Sequence, residues 1–305
     1  WGGPAARRAQ KLIMGPWPHG LGGRTLGAMD FGEAAAVAME PIYKRWLDRW
    51  VRDEPNGIDR EPAVRIFVMG VNAWREDDEW PPREAEPRAY YLASEGDART
   101  AAGTGRLVEK AGAPSAARDG YVYDPADPVP TLGGNTYAAP AGPTDHAPIE
   151  ARSDVLVYSG PVLERPVTVI GFVSATLFIS SDPPDTDFVA RLCDVYPDGR
   201  SIILCDGIAR ARFREGWDRE VFLAPGSVYE IEVPMGATAN VFLPGHRLRL
   251  EVTSSCFPRF ARNLNTGEPA ATGVRMRPAR QTLWHTPDHP SRLNVTTLPG
   301  AAAPA

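Results

Sequence analysis

Short apolar runs separated by glycine and proline constrain this chain more than any other feature of its sequence. From about Tyr90 onward, apolar residues recur at alternate positions, which is the period of a β-strand with one buried face. Glycine and proline, at 29 and 31 of the 305 residues, supply the breaks between the runs. This pattern predicts a two-sheet β-sandwich of the jelly-roll type. The clearest runs are Val167, Val169, Gly171, Val173, Ala175, Leu177 and Ile179; Tyr229, Ile231 and Val233; and Leu248, Leu250 and Val252, the last alternating with Arg247, Arg249 and Glu251 as a half-buried strand.

The first part of the chain has an α/β character instead. Residues 12–14 and 65–69 predict short strands, and the sequence between them predicts a helix that ends near residue 54. We therefore divide the chain into an α/β segment, residues 1–85, and a β-sandwich domain, residues 86–305, so that the fold is mostly β. The residues of the predicted buried helix face are Met39, Ile42, Tyr43, Trp46, Leu47 and Trp50, and those of the opposite, charged face are Lys44, Arg45, Asp48, Arg49 and Arg52.

Composition argues against several classes of partner. The formal net charge of -5 gives no reason to expect binding to nucleic acid or to an anionic membrane. No apolar run approaches the ~18 residues that a membrane-spanning helix needs.

Cys193, Cys205 and Cys256 include no Cys-x-x-Cys pair. We therefore expect three buried thiols in a reducing, cytoplasmic compartment, and neither a disulfide framework nor a zinc site.

One histidine, His19, follows the first predicted strand on a loop that is constrained by glycine and proline. A general base in acyl transfer needs a rigid loop beside a nucleophile, and a carboxylate that orients it. In α/β-hydrolases the chain order is serine, acid, histidine, and this sequence contains no Gly-x-Ser-x-Gly elbow. Because the chain starts at Trp1 without a methionine, we expect the C-terminal portion of an enzyme whose other catalytic groups lie upstream. The alternative is a loop histidine bonded only to backbone groups.

Other polar residues are weaker candidates for a site. Asp182, Asp185 and Asp187 could suggest calcium, but the segment lacks an EF-hand pattern and contains Pro183-Pro184, so we predict a turn. We predict no metal site at the remaining histidines: His285 and His289 are separated by Pro287 and are expected at a surface or interface, and His246 is expected to hydrogen-bond in a loop. Trp74 and Trp80 could line a cleft beside His19, but packing is the favoured interpretation.

Several separate segments, in a consistent order, carry a resemblance to a known family. They are Gly15-Pro16-Trp17-Pro18-His19-Gly20, Asp30-Phe31-Gly32, residues 45–50, Val68-Met69-Gly70, Trp74-Arg75, residues 79–82, residues 123–134, Asp185-Thr186-Asp187-Phe188, residues 194–200 and residues 241–248. Together they resemble the cocaine esterase/X-Pro dipeptidyl-peptidase (CocE/NonD) family of serine hydrolases. The first of them resembles the family's histidine motif.

The resemblance implies an α/β-hydrolase domain, a helical cap and a C-terminal jelly-roll sandwich. This chain would hold the sandwich and the last strand and helix of the hydrolase domain. It also implies a Ser-Asp-His triad that acts through an acyl-enzyme, without metal or organic cofactor. Only His19 can be assigned, as general base and acid; the nucleophile, the aspartate and the oxyanion donors would precede Trp1. The expected partners are a small-molecule ester or amide substrate and the upstream hydrolase and cap portion, and a homodimer is compatible with this architecture.

Two alternatives remain open. The chain could be a non-catalytic jelly-roll module for binding or interaction, with a relic of a hydrolase at its start. It could also belong to an Xaa-Pro dipeptidyl-peptidase. A peptidase of that type needs a carboxylate that binds the substrate amine, and the sequence does not identify one. We therefore favour esterase or acylase activity.

Overall fold

The computed structural model describes residues 3–19, 22–112, 116–137, 140–269 and 271–300. Trp1, Gly20 of the histidine motif and the last five residues of the predicted sandwich domain lie outside the described residues. Among the residues described, no helix combines the length and apolarity required to span a membrane.

The first part of the chain forms a small α/β unit. Strand β1 (Leu12–Met14) pairs in parallel with β4 (Val64–Val68), which pairs in antiparallel fashion with β5 (Ala73–Asp77). The order β1-β4-β5 leaves β1 at one edge of the sheet. The other elements of this unit are α1 (Pro4–Arg8), the hairpin of β2 (Thr25–Leu26) and β3 (Met29–Asp30), α2 (Glu40–Val51), and 3-10 turns at Glu33–Ala35 and Ile58–Arg60.

Twelve strands then form one hydrogen-bonded series, in the order β12-β11-β14-β9-β7-β6-β17-β10-β15-β16, with β13 on β10 and β8 on β15. The main apolar core takes side chains from β9, β11 and β14 and from β10, β13 and β17. The fold is therefore mostly β, as predicted. The elements are β6 (Glu86–Ala93), β7 (Arg106–Val108), β8 (Arg118–Tyr123), α3 (Ala147–Glu150), β9 (Leu156–Ser159), β10 (Val167–Ser181), β11 (Asp187–Val195), β12 (Ser201–Arg210), a 3-10 turn (Ala211–Phe213), β13 (Tyr229–Phe242), β14 (Arg247–Thr253), β15 (Ala279–Thr286), β16 (His289–Pro290) and β17 (Arg292–Thr297).

The alternating pattern correctly predicted the inward residues of two long strands. Val169, Val173, Ala175, Leu177 and Ile179 of β10 are buried, as are Ile231 and Val233 of β13. Gly171 interrupts β10 at φ 133°, close to a register shift against β13 between Phe172 and Ser174. A side chain there would meet Thr296, so glycine permits the bulge.

The prediction of a half-buried strand at residues 247–252 was wrong. Leu248, Leu250 and Val252 are buried as expected, but Arg249 and Glu251 are buried as well. The second face of β14 is covered because Glu150 of α3 binds Arg249 and the preceding His146 binds Glu251. Ionised groups can occupy such a face only when each has a partner.

Helix α2 forms where predicted, with Pro41 in its first turn, but the predicted faces need correction. Tyr43 and Leu47, assigned to the buried face, are each 49% exposed. That face lines an open groove of about 610 Å³ between α2 and β1. Asp48, assigned to the charged face, is buried and forms ion pairs with Lys44 and Arg52.

The small sheet packs directly on the sandwich. Val64, Ile66 and Val68 of β4 share a buried cluster with residues of β10 and β13, including Ile170 and Val241. Burial of side chains of this size is worth roughly 1.5–3 kcal/mol each. The backbone of Met69 also bonds to both neighbours of Asn240: its N–H donates to Ala239 O at 3.0 Å, and its carbonyl accepts from Val241 N at 2.9 Å. Apolar packing and backbone bonds thus fix the α/β unit against the sandwich.

A buried carboxylate, Asp119 of β8, ties several elements of the sandwich together. It accepts hydrogen bonds from the Ser94 hydroxyl, the Tyr158 hydroxyl and His285 Nε2, each at 2.8 Å, and from Ala98 N at 3.0 Å. Burial by itself would raise the pKa of Asp119, but the hydrogen bonds from His285, Ser94 and Tyr158 bring that pKa below its usual value. The native fold therefore favours the ionised carboxylate.

We predict that Asp119→Asn lowers the free energy of unfolding by about 3–5 kcal/mol at pH 7, because an amide nitrogen would face groups that already donate. The folded pKa is below the unfolded one, so the part of this stabilisation that depends on ionisation is present above about pH 4 and is lost as the pH falls through the folded pKa. Urea unfolding at pH 7 and at pH 3.5 measures both effects. Asp198→Asn, at an exposed turn, is the matched control and should change little. If Asp119→Asn lowered the free energy of unfolding by the same amount at both pH values, the prediction would be contradicted.

Candidate active site

The loop that carries His19 is held by the side chain of Trp17. The Trp17 indole folds over Gly15, where an added Cβ would lie within 3 Å of the ring. Trp17 Nε1 donates to Ala35 O at 2.7 Å, which joins the loop to the 3-10 turn Glu33–Ala35. The Gly/Pro-constrained loop predicted from the sequence is therefore fixed by a side-chain anchor as well as by its backbone.

The Trp17 ring packs in an aromatic cluster with Trp74 and Phe67. The ring centroid of Trp74 lies 5.7 Å from that of Trp17 and 5.3 Å from that of Phe67. Trp74 Nε1 donates to Ala34 O at 2.6 Å, next to the acceptor that Trp17 uses. Trp80 lies elsewhere and packs against the buried aliphatic cluster that β4 shares with the sandwich. The favoured interpretation of both tryptophans as packing residues is thus confirmed.

His19 lies at the wall of an open cleft of about 540 Å³. Its side chain is exposed, and its ring centroid is 5.0 Å from that of Tyr137, in an edge-on arrangement. Within the described residues, no side chain hydrogen-bonds to the His19 ring. The imidazole is therefore accessible from the cleft. The other lining residues include Trp17, Leu26, Phe31, Met69, Asn135, Thr136, Pro143, Ile203 and Leu204.

Asp30, on the neighbouring hairpin, is already committed to another partner. Arg24 donates to both oxygens of Asp30, at 2.8 and 2.6 Å. These hydrogen bonds, with one from the Gly32 backbone, lower the pKa of Asp30 to about 2. Asp30 is thus ionised, but its oxygens serve Arg24 and Gly32, and it does not orient His19.

The acidic cluster near the end of β10 is neutralised by arginines. Asp185 Oδ2 accepts from Arg212 Nε at 2.8 Å, and Asp187 Oδ1 accepts from Arg210 Nε at 2.8 Å. Asp182 accepts from the Arg277 side chain at 3.2 Å and from the backbone of Arg280 at 2.7 Å. The structure therefore gives these carboxylates a role in closing loops, and the absence of a metal here stays a prediction.

Of the other four histidines, three are buried in the sandwich: His146, His246 and His285. His285 was predicted at a surface or interface, and this was wrong: it occupies an inward position of β15 and binds Asp119. His289 is half-buried. His246 hydrogen-bonds as predicted, through Nδ1 to Asp194 Oδ1 at 2.8 Å, and its ring centroid lies 4.4 Å from that of Tyr196.

Sequence reasoning missed two residues that bear on the cleft, Tyr137 and His146. Tyr137 is the only Phe, Tyr or Trp in residues 124–157, and this could have marked it. His146 is buried and its Nδ1 lies 3.0 Å from Glu251 Oε1. Nothing in the linear pattern pairs His146 with Glu251, because 105 positions separate them.

The three cysteines were predicted to be buried thiols, and this part of their prediction is confirmed. Cys193, Cys205 and Cys256 are free and buried. Burial raises the pKa of the Cys193 and Cys205 thiols, so both stay protonated at neutral pH. Cys193 and Cys205 are therefore neutral packing residues.

Comparison with known families gives one decisive match. Residues 56–294 match the X-Pro dipeptidyl-peptidase C-terminal non-catalytic domain. This chain belongs to that domain family. The family resemblance expected from the sequence motifs is thereby confirmed.

Several individual proteins that are similar to this chain are hydrolases. Cocaine esterase from Rhodococcus sp. (strain MB1 Bresler) is 44% identical over 291 residues, which cover 93% of this chain and 50% of the relative. An aminopeptidase from the marine sediment archaeon Thaumarchaeota archaeon has a TM-score of 0.84 at 32% identity, covering 95% of this chain and 50% of its own. An α-amino acid ester hydrolase has a TM-score of 0.83 at 26% identity, and the match covers 96% of this chain and 51% of that hydrolase. The chain thus spans about half the length of these relatives.

The matched X-Pro dipeptidyl-peptidase C-terminal domain does not include the His19 loop. The match begins at residue 56, after α2, so the description "non-catalytic" concerns the part of the chain without His19. The match also runs across residue 85. The catalytic role of His19 and the domain boundary at residue 85 therefore both stay predictions.

We predict that Gly15→Ala lowers the free energy of unfolding by about 1–3 kcal/mol, because the new methyl group would displace the Trp17 ring. Near-ultraviolet circular dichroism should change with it, since Trp17 and Trp74 are in contact. Gly23→Ala is the matched control, because nothing lies within 4 Å of a Cβ at that position. An unchanged tryptophan spectrum and midpoint for Gly15→Ala would show that Trp17 does not hold the loop.

Proposed function

We propose that this chain is part of a serine hydrolase that cleaves ester or amide bonds through a Ser-Asp-His triad and an acyl-enzyme, with His19 as its histidine. The observation that carries the proposal is the position of His19. Its ring is exposed at the wall of a cleft, on a loop that Trp17 anchors. A general base must be held rigidly and remain accessible, and this loop provides both conditions.

The chemistry assigned to His19 has two steps. The imidazole accepts the proton of a serine hydroxyl as that oxygen attacks the substrate carbonyl, and then donates the proton to the leaving group. In the deacylation step, the imidazole accepts a proton from water as the water oxygen attacks the acyl-enzyme. It then returns that proton to the serine oxygen as the acid product leaves. Proton transfer of this kind contributes typically ~10²- to 10⁴-fold in rate. We propose no metal or organic cofactor for either step.

The partner that would supply serine and aspartate is the upstream hydrolase and cap portion of the same protein. Two features support this assignment. Strand β1 lies at the edge of a sheet with parallel pairing, where a further parallel strand could add. Beside it, the apolar face of α2 lines an open groove of about 610 Å³. The relatives, about twice as long as this chain, are consistent with such an upstream portion.

The cleft favours a small-molecule ester or amide over a peptide with a free amino terminus. Its described lining is apolar and aromatic with a few neutral polar groups, and includes no Asp or Glu. An Xaa-Pro dipeptidyl-peptidase would need such a carboxylate to bind the substrate amine. Tyr137, on the sandwich, faces His19 and would contact the acyl group.

A non-catalytic binding module is the second candidate function. The description of the matched domain favours it for residues 56–294. In that case the His19 loop would be a structural remnant, and the sandwich would act on its own.

We further propose a cytoplasmic location, since three free thiols suit a reducing compartment. We propose neither nucleic acid nor membrane as a partner. A homodimer remains compatible with the architecture, and the elution volume of the complete protein on a calibrated column would test it.

The complete reading frame gives the first test. We expect a Gly-x-Ser-x-Gly elbow upstream of Trp1, followed by an aspartate and then by the His19 loop. A reading frame without the elbow would exclude the triad proposal and leave the binding module.

We predict that His19→Ala lowers kcat for p-nitrophenyl ester hydrolysis by the complete protein at least ~10³-fold, because the serine would lose its base. Stopped assays with p-nitrophenyl acetate and p-nitrophenyl benzoate measure this loss. His289→Ala, at a half-buried histidine on β16, is the matched control and should keep its activity. Equal rates for the wild type and His19→Ala would overturn the proposed function.

A further inference from the structure

The loop that brings Tyr137 to His19 is closed at its base by a single side chain. We call residues 132–146 the cleft loop; residues 138 and 139 within it are outside the described part. Leu132 is the first residue of this loop and His146 is the last. The carbonyl oxygen of Leu132 accepts a hydrogen bond from Nε2 of His146 at 2.7 Å. One step inward, Gly134 and Gly142 exchange two backbone hydrogen bonds of 2.8 and 2.9 Å. The imidazole of His146 thus joins the two ends of the loop.

The same imidazole fastens the loop to the core of the sandwich. His146 Nδ1 lies 3.0 and 3.2 Å from the two oxygens of Glu251 on β14, and both side chains are almost fully buried. His146 N also donates to Ser201 O at 2.7 Å. The loop is therefore tied at one point to β14 and at another to β12.

Both ring nitrogens of His146 face acceptors, so the ring serves as a double donor and needs a proton on each nitrogen. The charged and titratable groups around it are Glu251, Arg191 and Cys193, with the Glu150–Arg249 pair beside them. Burial would raise the pKa of Glu251, but His146 and Arg191 lower it below its usual value, so the carboxylate is ionised and accepts.

A metal ion is the competing explanation for this cluster. A ring nitrogen of His146, Cys193 Sγ and a carboxylate oxygen of Glu251 lie within 4.8 Å of one another. However, the proton on Nδ1 and a metal ion would occupy the same position. Arg191, whose NH1 is 3.3 Å from Glu251 Oε2, already supplies a positive charge there. The hydrogen-bonded arrangement accounts for every one of these groups without a metal.

We propose that His146 is a positioning residue for the cleft: as a double donor it ties the cleft loop to Glu251 and so holds Tyr137 beside His19. The proposal rests on the proposed function insofar as Tyr137 contacts the acyl group. His146 would not touch the substrate. Its loss would therefore weaken substrate binding more than it would slow the chemical step.

The test uses His146→Gln and His146→Asn in the complete protein. Gln keeps a donor near the position of Nε2, toward Leu132 O, and loses the donor to Glu251. Asn keeps a donor near the position of Nδ1, toward Glu251, and loses the donor to Leu132 O. Neither substitution leaves a large cavity. We expect KM for p-nitrophenyl benzoate to rise about ten-fold in both variants, with kcat within two-fold of the wild type. Tyr137→Ala should give the same separation of KM from kcat, and His289→Gln is the matched histidine control.

Hydrogen exchange gives a readout that does not depend on activity. The peptide of residues 132–146 should exchange about ten-fold faster in both His146 variants, while the peptide of residues 167–181 in the core strand β10 stays unchanged. A loss of exchange protection throughout the sandwich would mean that His146 serves only global stability, and would overturn the proposal. If the wild type and His19→Ala hydrolyse esters equally, the proposed function fails, and the exchange data still decide the role of His146 in the loop.

Two further results would overturn the proposal. One is an unchanged KM and unchanged exchange of the cleft loop in both variants. The other is one equivalent of bound metal, measured by mass spectrometry of the purified wild type and absent from His146→Gln. In contrast, the proposal expects no bound metal and two ring N–H signals for His146 at pH 7.5 in ¹⁵N-histidine spectra, both lost in His146→Gln.

Discussion

The packing of β4 against the sandwich is the contact on which the candidate site depends. His19 belongs to the small α/β unit and Tyr137 to the sandwich, so their 5.0 Å separation exists only because these two parts are fixed together. The buried cluster that includes Val68 and Ile170 provides the apolar area, and the backbone bonds of Met69 set the register. A cluster of aliphatic side chains resists sliding because its side chains interdigitate.

Within the sandwich, buried charges set a second constraint. Three histidines pair with carboxylates: His146 with Glu251, His246 with Asp194, and His285 with Asp119. Each pair joins a loop or strand to a strand far away in the sequence. Apolar packing tolerates small shifts, whereas a buried polar group that loses its hydrogen-bond partner costs about 1–3 kcal/mol. These pairs therefore specify which loops close over which strands, and the cleft loop is one of them.

Sequence reasoning was strongest where structure follows local periodicity. The strands β10 and β13, the short strand β1 and the helix α2 all form where alternation or helical spacing indicated. It was weakest where burial depends on a distant partner. Tyr43 was expected to be buried and is half exposed, and Glu251 was expected to be exposed and is buried. Both errors arise because a side chain's own pattern does not reveal what lies across from it.

The sequence by itself determined the fold class, the family motifs and the glycine- and proline-containing loop that leads to His19, because these depend on residues that are close together in the chain. Only the tertiary structure decided that Tyr137 faces that histidine and that His146 closes the loop between them. Their partners, His19 and Glu251, lie more than 100 positions away. Contacts over such distances are fixed by how the sheets pack and by which buried charges meet, and neither leaves a local pattern in the chain.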